Sequence, residues 1–125
     1  MNLDKQKILH AGKIAAQIRE EAKKFIKKGM LLPEIADKIE EKILGLQGKP
    51  AFPTCLSIDN IAAHSTPKQD GTETAHGILK IDMGVHIEGW IADTAFSIDL
   101  ENSSENKKII EASEKALEAA IKTIK

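Results

Sequence analysis

The stretch LKIDMGVHIEGWIADTAF, residues 79–96, carries two aspartates, Asp82 and Asp93, on the arms of a β-hairpin pattern. A two-residue turn at Glu88-Gly89 sets Asp82 opposite Ala95 and Asp93 opposite Gly84. A register shifted by two residues sets Asp82 opposite Asp93. Both registers put the carboxylates on one face, about 5 to 8 Å apart. A slip of one residue parts them, but it also scrambles the apolar set of Leu79, Ile81, Met83, Val85 and Ile87 with Trp90, Ala92, Phe96 and Ile98. Neighbouring carboxylates raise each other's pKa unless a cation compensates them. A hard divalent metal does this well, because it prefers oxygen ligands. Gly84 beside them is expected to leave that face open to an approaching group. Without other residues, the same face reads first as the solvated side of a half-buried sheet, and two carboxylates are too few for a tight site.

The elements that hold this hairpin follow from periodicity. Residues 4–28 read as a helix with an apolar stripe of Ile8, Ala11, Ala15, Ile18, Ala22 and Phe25, stopped at Gly29. A second helix begins near Pro33, buries Ile35, Ile39 and Ile43, and ends at Gly45. From Gly48 the helical period disappears. CLSIDNIAAHS reads as one strand and PKQDGTETAHG as a polar loop. After the hairpin, Ser103 or Ser104 caps a third helix whose face is Ile110, Leu117, Ile121 and Ile124. The order divides the chain into a helical lead-in (1–47), a strand region with the chemistry (48–101) and a helix (103–125), an α+β arrangement in one domain.

Composition narrows the function classes. The chain has 125 residues, 42% hydrophobic and 30% charged, which is ordinary for a folded domain. Its net charge of −1 gives no electrostatic case for nucleic acid or an anionic membrane. No apolar run approaches the roughly 20 residues needed to span a bilayer. The N-terminus lacks the pattern of a signal peptide. A single cysteine, Cys55, points to a reducing cytoplasm and reads as a small buried thiol. His86 reads as a surface residue beside the turn, and His10 and His76 have no partner in spacing. His64, in an Ala-rich context, reads on composition as a half-buried, hydrogen-bonded side chain, and Phe52 as a core plug.

Two segments together resemble a known family. AFPTCLSIDNIAAHSTP followed by LKIDMGVHIEGWIADTAF is similar to the first half of a type II methionine aminopeptidase, the archaeal and eukaryotic kind. The likeness lies in Ala-Phe-Pro-Thr, Asn-x-x-Ala-His-x-Thr-Pro, Lys-Ile-Asp-x-Gly-x-His-Ile-x-Gly and Ile-x-Asp, at matching spacing. It implies the first half of a pita-bread (creatinase/aminopeptidase) fold, with an antiparallel hairpin sheet packed against two N-terminal helices and one C-terminal helix. It also implies removal of initiator methionine from nascent polypeptides at two divalent metals (cobalt, manganese, iron or zinc). By the same resemblance, Asp93 bridges both metals and Asp82 holds one. His64 hydrogen-bonds the substrate and stabilises its oxyanion, and Phe52 walls the methionine side-chain pocket. The family's other ligands, a histidine and two glutamates, belong to a second half. Nothing in SSENKKIIEASEKALEAAIKTIK supplies them. The chain is therefore expected to be an N-terminal portion that needs a C-terminal half or a partner chain, and to be inactive alone. A proline dipeptidase-like metallopeptidase and a non-catalytic binding protein of the same fold are the alternatives.

Overall fold

The fold described here is a computed structural model covering residues 2–124; Met1 and Lys125, the ends of the expected lead-in and last helix, lie outside the described residues. Helix α1 (Leu3–Phe25) starts where the Asn2 side chain accepts the Asp4 N–H at 3.2 Å, and it carries Asp4 in its first turn and Lys23 and Lys24 in its last. Its buried stripe is Ala11, Ile14, Ala15, Ile18 and Ala22. Ile14 joins the expected stripe, whereas Ile8 stays 42% exposed and Phe25 is only half-buried. The helix stops short of Gly29 because the chain leaves it to meet a distant segment. The Gly29 N–H donates to Ala75 O at 2.8 Å, the Leu32 N–H to Glu73 O at 2.9 Å and the Ala75 N–H to Met30 O at 2.8 Å. Gly29 takes φ +85° at that bend. The expected polar loop is thus tied down at its end, and Ala75 is fully buried.

Helix α2 (Leu32–Gly45) has Pro33 in its first turn and buries Ile35, Ile39 and Ile43 completely, as the spacing predicts. Burial of each such side chain stabilises the fold by roughly 1.5–3 kcal/mol. Four strands follow: β1 (Lys49–Pro50), β2 (Cys55–Ile58), β3 (Ile78–Ile87) and β4 (Trp90–Asp99). All pairs are antiparallel. β3 lies in the middle, with β4 along one side and β1 and β2 in succession along the other. Leu79, Ile81, Met83 and Val85 of β3 are fully buried on the face that carries α1 and α2, and Ala92, Phe96 and Ile98 of β4 pack beside them. β2 is shorter than expected. Asp59, at φ +45°, turns the chain out of the sheet immediately after Ile58.

Helix α3 (Ser104–Thr123) begins where Ser103 Oγ accepts the N–H groups of Glu105 and Asn106. The apolar face foreseen for it exists in sequence but not as a packed surface. None of its residues is buried, and Leu117 is 62% and Ile121 57% exposed. Ile110 is half-buried, and with Leu117 it borders a cleft against β4 and α1 without being packed into the core. Along β4, the edge away from β3 has no pairing partner among the described residues.

Candidate metal centre

Glu88 (φ +50°) and Gly89 (φ +87°) form a tight turn of the left-handed kind that suits the twist of a hairpin. This turn fixes the register: Ile87 faces Trp90, Gly84 faces Asp93 and Asp82 faces Ala95. Asp82 and Asp93 are therefore diagonal neighbours on the face away from α1, the first of the two registers read from the sequence. Asp82 is half-buried and Asp93 exposed.

Burial pushes the Asp82 carboxyl above the ordinary range, and the charge of Asp93 and a hydrogen bond with it push the same way, against an opposing contribution from His64. Asp82 Oδ1 is buried with no hydrogen-bond partner. A desolvated, unpartnered carboxylate oxygen beside a second carboxylate fits a hard cation. The fit is partial, because among the described residues no group of three or more His, Cys, Asp or Glu side chains is placed to hold a metal.

An acid whose pKa rises on folding favours the native state only while protonated. That contribution is present below the ordinary carboxylate pKa and is lost as pH rises through the raised value. Asp82→Asn is accordingly expected to melt at a higher temperature than the parent in chelator at neutral pH, with the gain vanishing in acid. Identical melting at neutral pH would show that Asp82 carries no such strain.

The remaining expected residues come near the pair by separate routes. Phe52 lies over Gly84: a Cβ at residue 84 would stand 2.4 Å from Phe52 Cε1 and 2.9 Å from Ala51 Cβ. The glycine therefore does not leave the face open to a ligand, as its position suggested. It admits the Phe52 ring. The segment is pinned at both ends, by the Ala51 N–H to Gly84 O at 2.9 Å and by the Thr54 N–H to Glu40 Oε1 at 2.9 Å. His64 is exposed, with φ +63°, at the end of the turn after β2, and near enough for its charge to act on Asp82.

Other candidates do not join. His86 is half-buried, and its Nδ1 accepts the Gly89 N–H at 3.1 Å, so it serves the turn. His10 and His76 are exposed. Cys55 is the buried thiol expected, yet it stands directly opposite Asp82 on β2. Sequence reading missed this neighbour, and Glu40 as the anchor of Thr54, because both depend on where β2 and the 51–54 segment dock. A cleft of about 400 Å³ borders the site, with Ala62, Ala63, Lys80, Asp82, Ala95 and Leu117 among its walls.

Residues 6–125 match the sequence pattern of metallopeptidase family M24. The methionine aminopeptidase of Methanocaldococcus jannaschii is 49% identical over 121 residues, covering 95% of this chain and 40% of the relative. That of Pyrococcus horikoshii is 50% identical over 121 residues with the same coverage, and that of Methanothermus fervidus 42% identical, covering 96% of this chain and 71% of the relative. Among solved structures, a Thermotoga maritima methionine aminopeptidase superposes with a TM-score of 0.85 at 28% identity, covering 96% of this chain and 52% of that one. A Pyrococcus furiosus prolidase superposes with a TM-score of 0.71 at 21% identity, covering 89% of this chain and 34% of that one, a likeness of fold. The chain spans about 40% of the length of the first two relatives.

Proposed function

The chain belongs to metallopeptidase family M24 and has the first half of the pita-bread fold, and from this premise we propose that it supplies one part of a methionine aminopeptidase site. The observation that carries the reading is the Asp82–Asp93 pair on one face, with Asp82 Oδ1 buried and unpartnered. In this reading Asp82 and Asp93 would be this chain's ligands to divalent metal (cobalt, manganese, iron or zinc, two ions in the completed site). Metals bound there supply Lewis-acid polarisation of a peptide carbonyl and activation of water at neutral pH.

The chain's own residues bind and orient. Phe52, seated on Gly84, offers an apolar wall for the methionine side chain. His64 donates a hydrogen bond to the carbonyl oxygen as that oxygen gains charge. The substrate is a peptide or nascent protein with N-terminal methionine. A C-terminal half or partner chain, docked on the β4 edge and the bare face of α3, provides the histidine and two glutamates that complete the ligand set. A cytoplasmic setting agrees with the lone cysteine. No helix among the described residues is long and apolar enough to cross a membrane, and the near-neutral charge offers nothing to nucleic acid.

The test compares the 125-residue chain with the same chain joined to the C-terminal remainder of the Methanocaldococcus jannaschii relative, both given manganese or cobalt. A Met-Ala-Ser peptide is expected to be cleaved by the joined protein and left intact by the chain alone. Cleavage by the chain alone, or a joined protein that folds and binds no metal, would overturn the assignment.

A further inference from the structure

We propose that Lys80 is a positioning residue: its ammonium group anchors the 59–64 turn and so sets where His64 stands relative to the Asp82–Asp93 pair. The inference rests on the reading of His64 given above and adds a residue to it. The turn has two left-handed ends. Asp59 (φ +45°) and His64 (φ +63°) both lie in the left-handed region, uncommon for an L-residue though Asp and His adopt it more readily than most, and each is held there by its neighbours.

At the far end the chain is held by hydrogen bonds to β2, one to its backbone and one to a serine hydroxyl. The Leu56 N–H donates to Ser65 O at 2.8 Å, and the Ser65 N–H to Ser57 Oγ at 3.4 Å. At the near end everything converges on Asp59. Its N–H donates to Ile78 O at 3.0 Å, and its Oδ1 accepts the Ile78 N–H at 2.8 Å. Gly77 makes room for that carboxylate, since a Cβ there would lie 2.0 Å from Asp59 Oδ1.

These contacts fix the Asp59 amide and side chain, but not the peptide plane that leads into the turn. Lys80 fixes that plane: its Nζ donates to Asp59 O at 2.7 Å. A charge-assisted bond of this kind is stronger than one between neutral groups. Lys80 makes it from β3, two residues before Asp82 and on the same face, opposite Ser57 and Ser97. Next in the turn come Ile61, whose N–H closes on Ile58 O at 2.9 Å, then Ala62 and Ala63, which share the walls of the cleft with Lys80 and Asp82. One strand thus presents both the candidate metal ligand and the group that anchors the turn leading to His64. A lysine serving only solubility would extend into water or pair with a carboxylate. This one is half-buried, and its recorded partner is a main-chain carbonyl.

Lys80→Gln and Lys80→Arg separate positioning from general stability. In the 125-residue chain, amide exchange at Ile61 is expected to quicken by about tenfold in Lys80→Gln, with amides of α1 and α2 unchanged, and to return toward the parent value in Lys80→Arg. In the joined enzyme, kcat of Lys80→Gln falls by about tenfold with KM nearly constant, because a small displacement of a transition-state contact costs rate. Unchanged exchange at Ile61, or full kcat in Lys80→Gln while His64→Ala of the same enzyme is crippled, overturns the role of Lys80 and leaves that of His64 standing. Full turnover in His64→Ala brings down both.

Discussion

Asp93→Ala, placed in an enzyme completed from this chain, is expected to come out empty of metal, whereas His64→Ala keeps its metal and loses turnover by roughly a hundredfold. The contrast follows from the role proposed for each side chain. Asp93 stands diagonally from Asp82 on the same face, and in the proposed site it would be one of this chain's two carboxylate ligands. Removing it leaves Asp82 with no second carboxylate ligand among the described residues. His64 lies in a turn outside the sheet, and the role proposed for it is toward charge that develops only during the reaction. Metal analysis beside kcat distinguishes the two roles. If His64→Ala is the variant that comes out empty, the roles must be exchanged.

Gly84→Ala is expected to destabilise the 125-residue chain by about 1–3 kcal/mol, although the change adds a single methyl group. That methyl would lie 2.4 Å from Phe52 Cε1 and 2.8 Å from Cδ1. The ring has little freedom to retreat, because Ala51 is hydrogen-bonded to Gly84 itself and Thr54 to Glu40. Denaturant melts of Gly84→Ala, Phe52→Leu and the double variant test the contact. The double variant is expected to recover part of the loss, since a smaller side chain at residue 52 no longer meets the methyl. Strict additivity of the two single changes would mean that Phe52 and Gly84 do not press on one another.

The hairpin was legible in the sequence because its evidence is local. A Glu-Gly turn and a strict two-residue alternation leave two registers, both with Asp82 and Asp93 on one face, and the one set by a two-residue turn is the one found. The isoleucines of α2 were legible for the same reason. What depends on distant segments was not. The exit of α1 before Gly29 is set by residues 73–75. The short β2 is set by Asp59 turning toward Ile78. Gly84 was misread because a glycine in a strand announces a close approach without naming what approaches. The proximity of Cys55 to Asp82 arises from strand pairing across more than twenty intervening residues. The resemblance in the 51–67 and 79–96 segments indicated His64 and Phe52, and no periodicity could have done so.

The absence of any buried residue in α3 bears on the order of events at the ribosome. The packed core draws on Ala11 through Ile98, with Leu100 against its rim. A growing polypeptide therefore holds everything it needs to close that core before the helix from Ser104 onward has emerged, and N-terminal units commonly fold first during synthesis. Helix α3 would then leave the exit tunnel as an amphipathic strip attached to an already folded body, free to template whatever is translated or recruited next. A nascent chain halted with residue 102 just clear of the tunnel should already resist protease over residues 3–100 as well as the released 125-residue chain does.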